Sequence, residues 1–422
     1  MNEIKLKNRV LYRYLPEISQ KGIFLLAGAR ETGKTTLVKT QYPTLKYVNL
    51  QTPEDREGIH KMGSTSWAKE IGNAVIDEAQ RDLSVFEKIK YAYEQNPMIF
   101  QLVLGSSQIW LLKKIKDFFP ETFSLYEMWP LFMIEILNSE TNFSLTQGTN
   151  PLLEELFSSR DFNDIFKNSP SVLTPEQDQR IQNLEQYLLR WGGMPALLTL
   201  SDEDRRKWLK DYEYTYLERD LVNLVRLEDH EIFHKFKRLA SLQSGHLLNY
   251  SELARDATIS VDTARRYTDY LKLSYQVMFL LPYTKKITSS VVKTPKVYWF
   301  DVGLLRHLSG YRGEYGGFIY HTMVIGEILK WMRTTQKREE VFFYRTRSGL
   351  EIDLILETRP GTIAMVTKSR DDIVLSDAKP LKDFAKHLGK KWRGGLIIYQ
   401  GPAIKKIAEP NIWAVPSRRL FT

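Results

Sequence analysis

The chain has 422 residues, of which 43% are hydrophobic and 26% charged, with no cysteine and a formal net charge of +9 at pH 7. This length predicts several domains with ordinary apolar cores, and the absence of cysteine excludes disulfide bonds and thiolate metal sites. No apolar run approaches the roughly 18 residues of a membrane-spanning helix, and the N-terminal stretch MNEIKLKNRV lacks an apolar signal core, so we expect a cytoplasmic protein without a membrane partner.

The positive charge is concentrated in the back half of the chain. Residues 236–422 hold 31 Lys and Arg against 17 Asp and Glu, a net charge of +14. Residues 1–235 hold 29 against 34, a net charge of −5. A basic back half favours contact with a polyanion, although solvated surface lysines would give the same imbalance.

The first predicted element is a short apolar strand at 22–28, which leads into a glycine-rich loop and then a helix start at 34–40. The loop reads G-x-x-x-x-G-K-T, and strand, loop and helix in this order are the context of a phosphate-binding P-loop. Backbone N–H groups and the helix N-terminus would hold phosphate, Lys34 would reach the β- and γ-phosphates, and the Thr35 hydroxyl would ligate Mg²⁺. We therefore predict ATP and Mg²⁺ as cofactors.

A second strand, which ends in two acidic residues, supports the same site. The stretch NAVIDEAQ at 73–80 reads as a buried strand that ends in Asp77 and Glu78. In P-loop ATPases the aspartate after such a strand holds Mg²⁺, and the adjacent glutamate can orient or deprotonate the attacking water. We predict Asp77 and Thr35 as metal ligands, and Glu78 and Lys34 as catalytic residues.

A third strand, predicted at 98–105, ends in Ser106 and Ser107. A polar side chain at this place lies near the γ-phosphate in AAA-type ATPases, but serine is also a favoured N-cap of the helix that follows, and both interpretations stay open. A strand at 46–50 and a helix at 83–95 complete an alternation that predicts a parallel sheet with covering helices. The predicted nucleotide-binding residues are Gly28, Ala29, Arg30, Glu31, Thr32, Gly33, Lys34, Thr35, Thr36, Ser106 and Ser107.

The middle of the chain reads as a helical lid. Residues 142–175 are polar and interrupted by proline, which predicts an insertion or a mobile loop. A helix follows at 175–193, stopped by Gly192 and Gly193, and a long amphipathic helix is predicted at 202–227. We expect these helices to cover the nucleotide.

Residues 248–277 read as a helix, a short turn and a second helix, with Ser260 as the N-cap of the second. Helix-turn-helix units place such a second helix in the major groove of DNA, and residues 281–300 would supply a β-wing. Winged helices also dock protein or a lid, and Asp262 and Asp269 weaken the positive face, so DNA and protein both remain candidate partners. The predicted DNA-contacting residues are Arg265, Arg266, Lys272, Lys285 and Lys286.

Together these motifs resemble a prokaryotic family of AAA-type ATPases with a C-terminal region of unknown function. The matching stretches are GARETGKTTL, YVNL, VIDEAQ, LGSSQ, MWPL, WGGMPALL, YLERDL, KVYWFDVGLLRHL and FFYRTRSGLEIDLIL. The resemblance implies an α/β fold in four parts. These are a P-loop NTPase (AAA-type) parallel sheet core at 1–140, a helical lid with a polar insertion at 141–235, a winged helix at 236–310 and a restriction-endonuclease-like α/β domain at 311–422.

The sequence departs from the family at an arginine that usually precedes Glu127 by five residues, because Thr122 stands there. If that arginine is an arginine finger, which stabilises the negative charge of the transition state, its loss would lower the rate of ATP hydrolysis by about 10³–10⁵-fold. Arg219, in YLERDL, would take a similar catalytic role, in cis or from a neighbouring subunit of a homo-oligomer; the alternative is a structural ion pair. Glu31 adds an acidic charge where the family more often has Gln, which would weaken ATP binding.

The back of the chain, at 340–370, alternates like a β-meander and resembles the PD-(D/E)xK nuclease core. Asp353 and Lys368 fit that pattern, but the glutamate of the core falls at Val366. A second acidic position falls at His321, although Glu327 remains on the same predicted helix. Since carboxylates hold the metal in such a centre, we predict no nuclease activity. Asp353 and Lys368 are then expected to form an ion pair or to keep a binding surface.

Three functions remain after these observations. The first is a slow, Mg²⁺-dependent ATPase that remodels or senses DNA through its basic half. The second is a nucleotide-gated switch in which binding is the output and hydrolysis the reset. The third is a metal-dependent nuclease, which is disfavoured because Val366 cannot ligate a metal. Thr122 in place of the family's arginine favours the second function over the first.

Overall fold

Two β-sheets organise the protein, one from the front of the chain and one from the back. The computed structural model describes residues 9–95, 99–106, 123–140, 151–169, 173–215, 230–283, 294–313 and 317–422. Ser107, Thr122, Arg219, Lys285 and Lys286, all singled out in the sequence, lie outside the described residues.

Among the described residues the front sheet has five strands, and every neighbouring pair is parallel. The strands are β1 Gly22–Ala27, β2 Lys46–Asn49, β3 Ala74–Asp77, β4 Phe100–Gly105 and β5 Phe123–Glu127. Their order is β2-β3-β4-β1-β5, so β1 lies inside the sheet between β4 and β5. All residues of β1 and β4 are buried, as expected for parallel strands covered on both faces.

Helices follow these strands and cover the sheet. They are α1 Lys34–Gln41, α2 Pro53–Lys61, α3 Trp67–Glu70, α4 Ser84–Gln95 and α5 Met133–Glu140. In α4, Val85, Phe86, Ile89 and Ala92 are buried along one stripe, which is the period of a helix packed on a core. The α/β fold with a P-loop parallel sheet that the sequence predicts is therefore confirmed.

The polar stretch at 142–175, predicted as an insertion or a mobile loop, forms helices where the structure describes it. It contains α6 Pro151–Glu155 and α7 Phe162–Lys167. The Asp161 carboxylate caps α7 by accepting from the N–H groups of Asn163 and Asp164. Phe166 packs on Trp413 of the back sheet, with ring centroids 5.6 Å apart. The few apolar side chains of this stretch thus anchor it, although its composition is polar.

The lid begins with α8 Pro175–Trp191 and continues with α9 Asp202–Tyr212. Thr174 and Gln177 form a capping box at the start of α8, and Gly192, with a φ of 74°, ends it as predicted. The long helix predicted at 202–227 is described as a helix only in its first part, because 216–229 lie outside the described residues.

The predicted helix-turn-helix is present as helices. The elements are α10 His230–Leu242, α11 Tyr250–Ala257 and α12 Val261–Leu273, followed by the antiparallel strands β6 Val277–Pro282 and β7 Lys296–Trp299. The Ser260 hydroxyl accepts from the N–H of Thr263 at 3.0 Å, which confirms the predicted cap. That this unit works as a winged helix stays a prediction.

The back of the chain adds α13 Val302–Ser309, α14 Gly317–Thr334, β8 Glu340–Arg345, β9 Glu351–Thr358, β10 Gly361–Lys368, α15 Lys379–Leu388, β11 Trp392–Tyr399, β12 Lys405–Ala408, β13 Ile412–Pro416 and α16 Ser417–Leu420. Strands β8, β9 and β10 form the predicted antiparallel meander. The full sheet runs β12-β13-β11-β10-β9-β8-β6-β7.

Two elements cross the domain limits predicted from the sequence. Strand β6 pairs in parallel with β8, through Leu281 and Phe342, so the hairpin after α12 belongs to the back sheet. Helix α10 begins at His230, ahead of the limit at 236. A continuous cluster of buried apolar residues also joins the front sheet, the lid and the back sheet. The division into four domains stays a prediction.

Candidate functional site

The phosphate-binding loop connects β1 to α1 at the carboxyl edge of the front sheet, where ligands of open parallel sheets bind. Two of its residues must be glycine. A Cβ on Gly28 would lie 2.1 Å from the Met128 carbonyl oxygen, and Gly33 has a φ of 95° in the left-handed region. The Thr32 hydroxyl donates to the Ala29 carbonyl at 2.8 Å and fixes the turn between them.

Lys34 is buried and points back into the loop. Its Nζ donates to the carbonyl oxygens of Gly28, at 2.9 Å, and Ala29, at 2.7 Å. Burial lowers the pKa of Lys34 to about 8, although the charges of Glu78 and Asp77 act in the opposite direction. The ammonium therefore lies within the loop that the sequence assigns to phosphate, with weak carbonyl partners that an anion can replace.

The side chains of Thr35 and Asp77, which are distant in the sequence, lie in contact in the structure, as the predicted metal site requires. The Thr35 hydroxyl donates to Asp77 Oδ2 at 2.8 Å, and the Tyr47 hydroxyl donates to the same oxygen. Hydroxyl and carboxylate oxygens suit Mg²⁺, which takes its remaining ligands from phosphate and water. Within the described ranges, no cluster of three or more His, Asp or Glu residues could hold a metal by itself.

Glu78 follows β3 in a left-handed conformation, with a φ of 54°. Its Oε2 accepts from Gln80 Nε2 at 2.6 Å and lies 3.7 Å from the Arg30 guanidinium. The same Gln80 nitrogen lies 3.2 Å from Ser106 Oγ. Ser106 is therefore linked to the candidate base through Gln80.

These side chains border a cleft of about 830 Å³, which lies in the size range of ligand pockets. Of the predicted nucleotide-binding residues, the lining includes Arg30, Glu31, Gly33, Lys34, Thr35 and Thr36, together with Asp77 and Glu78. Gly28, Ala29 and Thr32 shape the loop behind them, and Ser106 lies beyond Gln80. Sequence reasoning missed Arg9, Tyr12, Tyr47, Asn49, Gln51, Pro195, Ala196, Leu198 and Thr199, which also line the cleft.

The far wall of the cleft, at 195–199, is positioned by the double glycine that ends α8. The Leu131 N–H donates to the Gly193 carbonyl at 2.8 Å, which ties the lid to the segment after β5. The Gly193 N–H donates to Asp301 Oδ2 at 2.7 Å, and Asp301 Oδ1 caps α13. These contacts join three distant stretches, so spacing along the chain could not reveal them.

The region for which the sequence predicts a nuclease-like centre holds a lysine among its carboxylates. Asp353 Oδ2 accepts from the N–H of Thr367 at 2.8 Å, and Oδ1 lies 3.6 Å from Lys296 Nζ and 3.8 Å from His321 Nε2. Lys296 also pairs with Glu351 at 2.5 Å. Burial alone would raise the pKa of Asp353, but His321, Lys296 and the bonds from Thr367 outweigh it and hold the pKa below its ordinary value.

The predicted ion pair between Asp353 and Lys368 is wrong. Lys368 Nζ lies 3.7 Å from Asp377 Oδ1, whereas Lys296 is the cation beside Asp353. Val366 is buried in an apolar cluster of the back sheet, as its side chain requires. Glu327 accepts from the N–H of Met133 at 3.0 Å and pairs with Lys330 at 2.6 Å, so it supports the start of α5 instead of this centre.

The predicted DNA-contacting residues that the structure describes lie on the exposed face of α12. Arg265, Arg266 and Lys272 are exposed, and Asp262 and Asp269 are exposed beside them. The Arg265 guanidinium lies 4.5 Å from the ring centroid of Tyr250, and Lys272 Nζ lies 5.2 Å from that of Phe279. The face is thus mixed in charge.

Among the described helices, none combines the length and apolar character that crossing a bilayer needs.

Comparison with protein families divides the chain into three matched regions. Residues 20–137 match the model of an AAA domain. Residues 181–315 match a domain of unknown function (DUF8612), and residues 316–420 match another domain of unknown function (DUF4143).

Two mycobacterial proteins are similar in sequence to part of this chain, and their names state no function. Uncharacterized proteins of Mycobacterium bovis and Mycobacterium tuberculosis are each 32% identical over 177 residues. The match covers 40% of this chain and 39% of each relative, so the chain spans well under half of their length.

Solved structures are similar only at low identity. A Walker-type ATPase of Pyrococcus abyssi is 14% identical, with a TM-score of 0.41, over 72% of this chain and 96% of that one. AMPPCP-bound DnaA from Aquifex aeolicus is 13% identical, with a TM-score of 0.24, over 60% of this chain and 84% of that one.

The AAA match covers the same residues that carry the loop, Asp77 and Glu78, and the parallel sheet places these groups at one edge. The front of the chain therefore matches an AAA domain and has the geometry of a P-loop nucleotide site, and the regions that follow it match domains of unknown function.

Proposed function

We propose that the protein is a Mg²⁺-dependent ATPase that couples its nucleotide state to the binding of DNA or a protein partner by the basic back half. The observation that carries the proposal is the convergence of Lys34, Thr35, Asp77 and Glu78 on one cleft whose opposite wall comes from the lid. A cleft closed by the lid gives ATP binding a way to move the rest of the chain. The cytoplasmic location and a homo-oligomer stay predictions.

Each residue of the cleft would have a separate role in binding and hydrolysing ATP. Backbone N–H groups of the loop hold the phosphates, and Lys34 exchanges its bonds to Gly28 and Ala29 for the β- and γ-phosphates. Thr35 and Asp77 would hold Mg²⁺, which when bound neutralises charge on the phosphates. Glu78 then accepts the proton of the attacking water.

A nucleotide-gated switch with little turnover is the second candidate, and the surroundings of Glu78 favour it. Its carboxylate is held by Gln80 at 2.6 Å and faces Arg30 at 3.7 Å. A base held by these partners is less available to water, so hydrolysis would need a further rearrangement. Slow turnover with tight nucleotide retention would support this function.

Nuclease activity is the disfavoured alternative. The Lys296 ammonium lies 2.5 Å from Glu351 and 3.6 Å from Asp353. These are the carboxylates that a catalytic metal ion would need as ligands in a nuclease. Because Lys296 already neutralises this partly exposed carboxylate pair, a metal ion would have to displace the ammonium or bind against its repulsion. Metal-dependent cutting of plasmid DNA that is lost in Asp353→Ala would revive this function.

The central experiment measures ATP hydrolysis by the wild type, Lys34→Ala and Glu78→Gln, with and without DNA. Loss of the Lys34 charge should lower the rate by about 10²-fold or more. Loss of the Glu78 base should lower it by about 10²–10⁴-fold while ATP still binds. Equal rates for Glu78→Gln and the wild type would refute this mechanism. Mass measurement with and without ATP would test assembly.

A further inference from the structure

A second cleft lies between the lid and the back half of the chain, and it shares no lining residue with the nucleotide site. Its volume is about 1510 Å³, and it is bordered by the helices α8, α9, α10 and α13, with Ser369 and Gln400 from the back sheet at its rim. Five arginines from different elements line it: Arg190, Arg206, Arg238, Arg306 and Arg312.

The lining of this cleft contains no Asp or Glu, so the positive charge is weakly compensated. Two of the arginines have carboxylate partners outside the lining. Arg190 pairs with Asp202 at 2.9 Å, and Arg238 lies 3.7 Å from Glu213. In both pairs the arginine side chain is 51% exposed, so it can still contact a ligand.

Arg206 and Arg312 are exposed, and among the described residues no carboxylate lies within ion-pair distance of either one. The fold therefore brings guanidinium groups together at one place, and the described part of the chain supplies no neutralising partner for these two. Like charges repel, and such a cluster is expected where an anionic ligand offsets the repulsion.

The arrangement fits a phosphate backbone. Guanidinium groups bind phosphate with two parallel hydrogen bonds, which makes arginine the usual side chain for such contacts. The arginines come from four helices and the segment after α13, so they span a surface instead of enclosing one small anion. Several contacts to successive phosphates would give binding without base preference.

The exposed face of α12 is a weaker candidate for this contact. There Arg265, Arg266 and Lys272 alternate with Asp262 and Asp269, so two carboxylates would face the same phosphates. We propose that the arginine cleft, and not the α12 face, is the surface that binds the phosphate backbone of DNA. This inference rests on the DNA partner of the proposed function and assigns it a site.

The test measures binding of a fluorescent DNA to the full chain without nucleotide, by anisotropy over a range of salt concentrations. The cleft variant is Arg206→Gln with Arg312→Gln, and the matched control is Arg265→Gln with Arg266→Gln. The cleft variant should bind at least about tenfold more weakly, with the slope of log K against log salt reduced by about 2, since each phosphate contact contributes about 1. The control should stay within about twofold of wild type.

Three results would overturn the inference. The first is a loss in the α12 control with none in the cleft variant, which would place DNA on α12. The second is unchanged binding in both variants. The third is displacement of the DNA by inorganic pyrophosphate at a concentration equal to that of the DNA phosphates, which would indicate a small phosphate ligand.

ATP hydrolysis by the same proteins separates this inference from the proposed function. All four substituted arginines are exposed, so both variants should melt at the wild-type temperature and hydrolyse ATP without DNA at the wild-type rate. Wild-type hydrolysis without any DNA binding would refute the cleft and leave the ATPase proposal standing. Binding of DNA through the cleft without hydrolysis would do the reverse.

Discussion

Burial lowers the pKa of Lys34 to about 8, and bound phosphate would restore the charge. Because only the protonated lysine binds phosphate well, the free protein must take up a proton to bind ATP above pH 8. We expect the Kd for ATP to be nearly constant below pH 8 and to rise about tenfold per pH unit above it. Titration of a fluorescent ATP analogue on both sides of pH 8 measures this change.

The control for this pH dependence is Lys34→Met, which should bind ATP weakly and show no bend near pH 8. The direction of the change in Kd follows from the lowered pKa of Lys34. In the free folded protein Lys34 loses its proton near pH 8, whereas an ordinary lysine keeps it to a higher pH. A Kd that falls as the pH rises through 8 would contradict the assignment of Lys34 to phosphate.

Tyr47 gives a second prediction at the candidate metal site. Its hydroxyl donates to Asp77 Oδ2, the oxygen that Thr35 also contacts, so a cation must displace this donor. Removing one hydrogen bond of about 1 kcal/mol in Tyr47→Phe should lower the Mg²⁺ concentration for half-maximal ATP hydrolysis about fivefold. An Mg²⁺ titration of ATPase rate measures it, with Tyr12→Phe as the control in the same cleft. A higher Mg²⁺ requirement in Tyr47→Phe would show that the hydroxyl supports the site.

Sequence spacing could predict Lys34, Thr35 and Asp77 because a loop between a strand and a helix fixes their chemistry locally. It could not predict Tyr47, whose contact depends on the pairing of β2 with β3. Tyr47 lies opposite Val75, which puts it on the same face of the sheet as Asp77 two residues later. Register of this kind is set by the whole sheet, and the sequence motif does not contain it.

At the scale of elements, the start of α13 and the end of α8 approach each other too closely for any side chain. A Cβ on Gly303 would lie 1.9 Å from the Trp191 carbonyl oxygen, whereas a Cβ on Gly326 would meet no atom within 4 Å. Gly303→Ala should therefore lower the free energy of unfolding by about 1–3 kcal/mol or more. Urea unfolding measures it.

The matched control is Gly326→Ala, inside α14. Alanine in place of a helical glycine should raise stability by up to about 1 kcal/mol when space is available. Because the Gly303 contact also positions the wall at 195–199, Gly303→Ala should weaken ATP binding as well. Equal stability of the two variants would mean that the junction can open without cost.

The Lys296 pairs give a prediction for the back sheet. Lys296 is 1% exposed and contacts both Glu351 and Asp353. Lys296→Met removes the buried cation that the two carboxylates share and leaves only Arg345 beside Glu351 and His321 beside Asp353 among the described residues. Removing one partner of a fully buried pair costs about 3–5 kcal/mol in the free energy of unfolding, and because the Glu351 side chain is 32% exposed we expect the lower end of that range. The exposed control Lys406→Met, beside Glu409, should cost about 1 kcal/mol or less.

The pH dependence of this loss has a definite sign. In the wild type the pKa of Asp353 lies below its ordinary 3.8, so its charged form adds stability above that pH and loses it in more acidic solution. Without Lys296 the carboxyl takes up a proton more readily. The deficit of Lys296→Met should therefore be largest at neutral pH and shrink as the pH falls toward 3.8. A deficit that grows in acid would contradict this account.

Elements with a strong local pattern could be predicted, and those fixed by distant contacts could not. The α12 cap at Ser260 and the end of α8 at Gly192 follow from capping chemistry within a few residues. The polar composition of 142–175 predicts only an insertion or a mobile loop and does not reveal the helices Pro151–Glu155 and Phe162–Lys167. These helices are stabilised by Trp413 and Arg393, more than 200 residues later, and Arg393 donates to the Ser158 carbonyl at 2.7 Å.

At the scale of the whole molecule, the nucleotide site and the helix-turn-helix share a continuous path of contacts. Arg9 donates to the Thr32 carbonyl at 2.9 Å and to the Trp129 carbonyl at 2.5 Å. The Trp129 ring then packs edge-on against Tyr275, which follows α12, with centroids 5.2 Å apart. The hairpin after Tyr275 belongs to the back sheet, so a shift at the loop can reach both parts of the back half.

This path predicts that ATP binding changes the dynamics of α12. Because Arg9 holds the loop and the Trp129 backbone together, a nucleotide that orders the loop should slow amide hydrogen exchange in Val261–Leu273. In Tyr275→Leu the ring contact is lost, so the slowing should fall by at least about half while the Kd for ATP changes less than about twofold. Phe342→Leu, in the back sheet, is the control and should keep the slowing. Protection of α12 that persists in Tyr275→Leu would show that the coupling runs through another route.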